Sequence, residues 1–187
     1  IGGFNVGEEY LGLNPRFGYW RDTHLRIKGN AVNDLQVRFL LDWAQASGEK
    51  MEWTDDYFLY TDERKDEGVG LQIVTSGPDS SWEQIKNSYI RMILDAKEYV
   101  YIQTPYFIPD DSVLDAIRIA SVSGVDVRVM IPDKPDHLFV YWATYSYVGE
   151  VLKAGAKVYL YGNGFLHAKT MVIDDCLATV GTANIDV

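Results

Sequence analysis

The chain has 187 residues, is 47% hydrophobic and carries a formal net charge of -10 at pH 7, which allows one sizeable core and one domain. That acidity argues against a nucleic-acid binder, which needs a basic face for phosphates. No run of about eighteen apolar residues and no signal-peptide pattern is present, and the lone Cys176 cannot form an internal disulfide.

In chain order, Thr23–Ile27 reads as a strand, and a helix follows from Asn30 to Ala46 with Val32, Leu35, Phe39 and Trp43 at spacings of three and four. Gly48 ends it. Residues 48–67 form an acidic stretch; from Glu49 to Glu67 there are eight acids and three bases. Such a run is ordinarily a solvated loop, and this one is expected to be the least ordered internal segment. It also holds Trp53, Tyr57, Phe58 and Tyr60, which would suit a cover over a site or a contact near a membrane surface.

Gly70–Ser76 is strand-like. Ser80-Ser81-Trp82-Glu83 has the form of a capping box, followed by the stripe Trp82, Ile85, Tyr89, Met92 and Ala96. A strand spans Val100–Gln103. Pro105 and Pro109 break the chain into a loop, and Asp111 can cap a helix running to Ser123, stopped by Gly124. Asp126–Ile131 is a strand. Leu138, Tyr141, Tyr145, Val148 and Leu152 mark a last helix, ended at Gly155, and strands follow at Lys157–Tyr161, Lys169–Ile173 and Ala178–Val180. Strand–helix–strand units predict an α/β domain with parallel pairing, while the closely spaced last strands predict a hairpin. The expected architecture is a mixed β-sheet flanked by helices on both faces. Cys176 is expected to be a small buried or half-buried filler.

The chemistry concentrates near the C-terminal end. His167, Lys169 and Asp174 form H-x-K-x4-D, and Gly181, Thr182 and Asn184 complete G-T-x-N six residues later. His and Lys at i and i+2 on a strand share a face. A histidine is a competent nucleophile or general acid near neutral pH, a lysine supplies a cation, and an asparagine amide donates without a proton to lose. The set suits a tetrahedral oxyanion such as phosphate, where the work is positioning and charge neutralisation. No cofactor or metal is expected, since no metal-ligand spacing is present. H-x-K alone is common; the full register over eighteen residues is not.

The chain also opens on Gly2-Gly3-Phe4-Asn5, a Gly-x-x-Asn element like the later one, with Asn5 and Asn184 lying 179 positions apart. This reads as one period of a two-copy repeat. A histidine equivalent to His167 would fall about a dozen residues before Ile1, outside this sequence.

The whole register resembles the signature of the phospholipase D superfamily, and most of the chain is similar to bacterial cardiolipin synthases. The closer likeness rests on Gly2–Gly7 with Glu9–Gly12, Tyr19–Ile27, Thr104–Asp110, Gly124–Arg128 with Ile131-Pro132, and Gly164–Lys169; residues 48–67 match least. The resemblance implies a phospholipase D-like region over residues 1–187, truncated at both ends, from a phosphatidyltransferase that makes cardiolipin from phosphatidylglycerol. Two signatures would meet at one site, one histidine becoming phosphohistidine and the other moving protons. It implies that His167 is one of the pair, acting as general acid/base, with Lys169, Asn184, Thr182 and Asn5 on the phosphate and Asp174 structural rather than chemical. Asp22 would serve the absent first histidine, and the acid serving His167 would lie beyond Val187.

The implied partners are an anionic phospholipid, a membrane surface reached through segments outside this chain, and a second copy of the chain; no nucleic acid is expected. The parent protein would sit at the cell membrane, and this piece would be soluble and inactive alone. The alternatives are a single-signature phosphodiesterase or nuclease completed by dimerisation, and an inactive phosphate-binding fragment. His24 and His137 read as ordinary polar residues more readily than as ligand contacts. Tyr106 and Phe107, after a strand end, lie where α/β sheets bind ligands. Arg21 and Arg26 suit lipid phosphate or plain surface.

Overall fold

The computed structural model describes residues 1–60, 68–77, 80–134 and 136–186. The chain divides into two compact units, residues 1–25 with 78–187, and residues 26–77.

Among its described residues the smaller unit holds one regular helix, α1 (Val32–Ser47). It ends at Gly48, which takes φ 71° and returns its N–H to Ala44 O, a conformation that a Cβ would disfavour. Leu40 is the only buried residue of the helix. Asn33 clips its first turn to the acidic stretch, donating to Leu59 O at 2.8 Å and accepting from Leu59 N at 3.1 Å. The acidic stretch makes one 3-10 turn, Asp55–Tyr57, and its residues 61–67 lie outside the described residues. Gly70–Ser76, expected as a strand, has no regular structure. Its β-type composition finds no ladder partner among the described residues, and a strand without one leaves its backbone groups unpaired.

The larger unit begins with β1 (Trp20–Arg21) and continues with α2 (Gln84–Asp95), β2 (Tyr99–Gln103), β3 (Phe107–Ile108) and α3 (Asp111–Val122). Then come β4 (Asp126–Pro132), α4 (Leu138–Lys153), β5 (Lys157–Tyr161), β6 (Phe165–Leu166), β7 (Thr170–Ile173), β8 (Leu177–Val180) and β9 (Ile185–Asp186). A five-stranded sheet runs in the order β5-β4-β2-β7-β8. β2, β4 and β5 are parallel, while β7 pairs antiparallel with β2 and β8. The mixed sheet flanked by helices is therefore present. The parallel half follows from α3 and α4 as crossovers; the antiparallel half follows from the short connection between β7 and β8.

That connection is a tight turn with Cys176 N bonded to Ile173 O at 3.1 Å. Asp174 and Asp175 both take positive φ, 50° and 54°, the conformation of a type I′ hairpin turn. Cys176 lies exposed in it, because the turn points its residues away from the core rather than filling one.

Burial alternates with period two along β2, most of β4 and β7. Val100 and Ile102 of β2 stand opposite Val127 and Val129 of β4, and opposite Ile173 and Met171 of β7, so one face is continuous. Met92 and Ile93 of α2, Leu114 and Ile117 of α3, and Val151 of α4 join the same cluster. Each such side chain contributes about 1.5–3 kcal/mol by leaving water. The Thr23–Ile27 strand is not formed. Among the described residues its one ladder contact is a single bridge between His24 and Gly2, and the pairing segment lies just before it, at β1. The N-cap of α3 is Asp110 rather than Asp111, accepting from Val113 N at 2.9 Å. Ser80 bonds Gln84 instead of closing a capping box with Glu83. No helix among the described residues is long and apolar enough to cross a membrane.

Candidate active site

Two short pairings, far apart in sequence, build the site. β1 runs parallel to β6 with Trp20 opposite Phe165 and Arg21 opposite Leu166. The pairing extends past the strand ends: Phe165 N donates to Tyr19 O at 2.9 Å and His167 N to Arg21 O at 2.7 Å. Only glycine can start β6, since Gly164 sits at φ 106° and a Cβ there would lie 1.9 Å from Tyr19 O. The next step of the register brings Asp22 beside His167, and Asp22 Oδ2 lies 2.9 Å from His167 Nδ1.

A carboxylate only accepts, so Nδ1 carries the proton and Nε2 keeps its lone pair. Lys169, immediately before β7, places Nζ 3.0 Å from that Nε2 and donates to His167 O at 2.6 Å. The i, i+2 relation thus puts lysine and histidine on one side, as the spacing predicts. Lys169 is only 6% exposed. Burial lowers its pKa to about 8, against the opposing pull of Asp22, Asp186 and Asp136. Burial also lowers His167, partly offset by its bond to Asp22, which favours the neutral ring. The edge of Tyr10 meets the His167 ring at 5.3 Å, and Trp20 lies 5.1 Å from it.

The remaining signature residues divide. Asn184 is half-buried and donates from Nδ2 to Asp186 Oδ2 at 3.4 Å, and Asp186 is one of the carboxylates acting on Lys169. Asp186 is exposed overall, yet loss of water around its carboxyl raises its pKa. Thr182 is exposed. Asn5 is exposed and bonds Tyr10, so it reaches His167 through one intervening ring. Asp174 is not in the site. Four residues of β7 separate it from Lys169, roughly 16 Å at strand spacing. Its carboxylate accepts Lys97 N at 2.7 Å, Glu98 N at 2.9 Å and Tyr99 N at 2.8 Å, and these bonds hold its pKa below the ordinary value.

Asp22 is likewise reassigned. Expected to serve a histidine before Ile1, it instead contacts His167, because the β1–β6 register sets the two residues side by side. His24 and His137 are exposed, and His137 N donates to Asp136 Oδ1 at 2.7 Å. Tyr106 does line the region, with its hydroxyl donating to Asp136 Oδ2. Tyr10, Trp20, Asp136 and Asp186 were not legible as site residues; only Asp186, two positions after Asn184, carried a spacing signal. Among the described residues no group of three or more His, Cys, Asp or Glu could hold a metal ion.

A sheet of this order, with a half-buried histidine and a buried lysine just before its inner strand β7, fits a phospholipase D-like domain. Residues 89–187 match the family described as cardiolipin synthase, PLD-like domain, and the chain belongs to that family. It is 65% identical over 188 residues to the major cardiolipin synthase ClsA of Bacillus subtilis, covering 100% of this chain and 39% of that protein. It is 60% identical over 187 residues to a cardiolipin synthase of Oceanobacillus iheyensis, covering 100% of this chain and 38% of that one. The chain thus spans about two fifths of these relatives' length. Among solved structures it is similar to Nuc, a phospholipase D family member from Salmonella typhimurium. That match has a TM-score of 0.48 at 17% identity and covers 55% of this chain and 65% of Nuc.

Proposed function

We propose that the chain is the part of a phosphatidyltransferase that carries its second signature, and that the complete enzyme joins phosphatidyl groups of phosphatidylglycerol into cardiolipin. The observation that carries this reading is the Asp22–His167–Lys169 relay. Asp22 fixes the ring with Nε2 unprotonated, and the lowered pKa of His167 keeps it so at pH 7, its lone pair held by Lys169 until a ligand takes the ammonium. An unprotonated Nε2 suits attack on phosphorus or acceptance of an alcohol proton; donation to a leaving group would require the ring to be protonated first. This moves His167 toward the nucleophile or base role, away from general acid.

As nucleophile, Nε2 forms the N–P bond while the P–O bond of the leaving alcohol breaks, its oxygen taking a proton from the second histidine. The acceptor hydroxyl then attacks phosphorus, the P–N bond breaks, and the hydroxyl proton returns to that second histidine. Lys169 neutralises the phosphoryl oxygens and, on doing so, leaves Nε2. Trp20 Nε1 and Asn184 Oδ1 are buried without a hydrogen-bond partner among the described residues. An unpaired buried polar atom costs about 1–3 kcal/mol, so a ligand that bonded them would bind the more tightly. The lipid substrate, the membrane surface and the need for a first signature belong to this proposal.

The test is a lipid product assay with phosphatidylglycerol, using the chain alone and the chain supplied with a preceding H-x-K-x4-D segment. Cardiolipin should form only in the completed protein, and His167→Ala should abolish it. Full turnover by the chain alone would sink the two-signature reading in favour of a single signature completed by dimerisation.

A further inference from the structure

Among the described residues, three polar side chains lie buried: Thr104, Thr144 and Lys169. The H-x-K pair uses the lysine and leaves the two threonines over. A buried hydroxyl costs free energy unless it is hydrogen-bonded, and valine fills the same volume without that cost. Both hydroxyls bind backbone where β3 meets β9. Thr144 Oγ1, on α4, accepts from Phe107 N at 3.3 Å. Thr104 Oγ1, just after β2, donates to Tyr106 O at 2.7 Å and accepts from Ile185 N at 3.3 Å.

Thr104 thus ties the end of β2 to a residue 81 positions later. β3 and β9 have two residues each, with Phe107 opposite Ile185 and Ile108 opposite Asp186. A pairing that short has few bonds of its own to hold it. Ile185 sits between Asn184 and Asp186, the pair joined by Asn184 Nδ2 and Asp186 Oδ2 at 3.4 Å. Fixing Ile185 N therefore fixes the peptide that carries the Asn184 side chain. Thr104 itself has no room for a ligand. The cavity it lines with Lys169 and Ile185 is about 10 Å³, no more than one water needs. Whatever Thr104 does for the site passes through the residues it holds.

We propose that Thr104 is a positioning residue, whose hydroxyl clasps Tyr106 O and Ile185 N and thereby sets the Asn184 amide for the anion held by Lys169. Its bearing on the anion rests on the phosphoryl-transfer reading; the clasp rests on the hydrogen bonds alone. It adds to the site a residue far outside the H-x-K-x4-D and G-T-x-N register.

A double-mutant cycle read by calorimetric titration of the 187-residue chain with inorganic phosphate tests it. Thr104→Val should weaken phosphate binding about tenfold, the scale of one lost hydrogen bond to the anion, and Thr104→Ser should bind as wild type. In an Asn184→Ala background Thr104→Val should add nothing further. Wild-type affinity in Thr104→Val, a loss that Thr104→Ser shares, or a loss that simply adds to that of Asn184→Ala overturns the proposal. Nuclear relaxation of the Asn184 side-chain amide in the ligand-free chain gives a second readout, with order lost in Thr104→Val and kept in Thr104→Ser. If wild type fails to bind phosphate, or binds it indifferently to Lys169→Ala, the phosphate reading falls and the amide readout alone judges the clasp. An Asn184 amide equally ordered in Thr104→Val overturns it.

Discussion

The two ends of β7 hold residues of one signature under opposite conditions. At the turn, Asp174 is a charge fully matched by three backbone N–H groups, with its ordinary acidity strengthened. At the other end, Lys169 is buried against a neutral ring, its ammonium destabilised by burial and only partly restored by three carboxylates. The first arrangement locks a hairpin to the start of β2. The second leaves charge incompletely matched, which is the condition for binding and reactivity. A short sequence pattern can therefore contain a structural residue and a chemical one, separated by no more than a strand.

The hardest test of that contrast pairs two substitutions in the completed protein. His167→Ala should remove phosphatidyl transfer altogether, since no covalent route remains, while the melting temperature stays near wild type. Asp174→Ala should do the reverse, lowering the melting temperature while activity per folded molecule survives. Loss of activity in a fully stable Asp174→Ala protein would erase the distinction between the two ends.

Asp22→Asn sharpens it next. The amide preserves shape but can no longer hold Nδ1–H as a carboxylate does, so transfer should fall by about 10²- to 10⁴-fold. Nitrogen-15 chemical shifts of the His167 ring should show the Nδ1–H tautomer losing its dominance. An unchanged tautomer alongside the loss would mean that Asp22 acts by some means other than orienting the ring.

The pH dependence of anion binding has a defined sign. Burial depresses Lys169 from 10.5 to about 8, so the ammonium is present below that value and lost above it. Affinity for ethyl phosphate should fall by up to about tenfold per pH unit above the midpoint, which bound phosphate shifts upward. Lys169→Arg should flatten the profile, because a guanidinium stays charged. A wild-type profile flat to pH 10 would show that Lys169 does not hold the anion.

The smallest effect tests the scaffold. Gly164→Ala forces a Cβ against Tyr19 O and should cost about 1–3 kcal/mol of stability in a denaturant titration. Because the β1–β6 pairing also sets the Asp22–His167 distance, the His167 ring shifts should move as well. A neutral substitution would mean that the pairing carries neither burden.

Much of the sheet was legible from local pattern. Alternation in Val100–Gln103 and Asp126–Ile131, the stripe in α2 and the turn before β8 are all short-range signals, and each element formed close to its expected bounds. The H-x-K pair was legible for the same reason, since two residues apart on extended chain is a local relation. Thr23–Ile27 and Gly70–Ser76 misled because a strand needs a neighbour, and local composition does not say whether one exists. The Asp110 cap was missed by one residue, since Asp110 and Asp111 offer the same side chain in adjacent positions.

Sequence by itself determined the family and the order of the central elements, and it put His167 and Lys169 on one side of the chain as candidate site residues. Tertiary structure alone decided their surroundings. The carboxylate that holds His167 comes from 145 positions earlier, through two-residue strands too short to leave a periodic trace. Asp136, Tyr106 and Asp186 reach the site from separate loops and strand ends. Burial then sets the lowered pKa of Lys169, and burial is a property of everything packed around a side chain, which no pattern along the chain encodes.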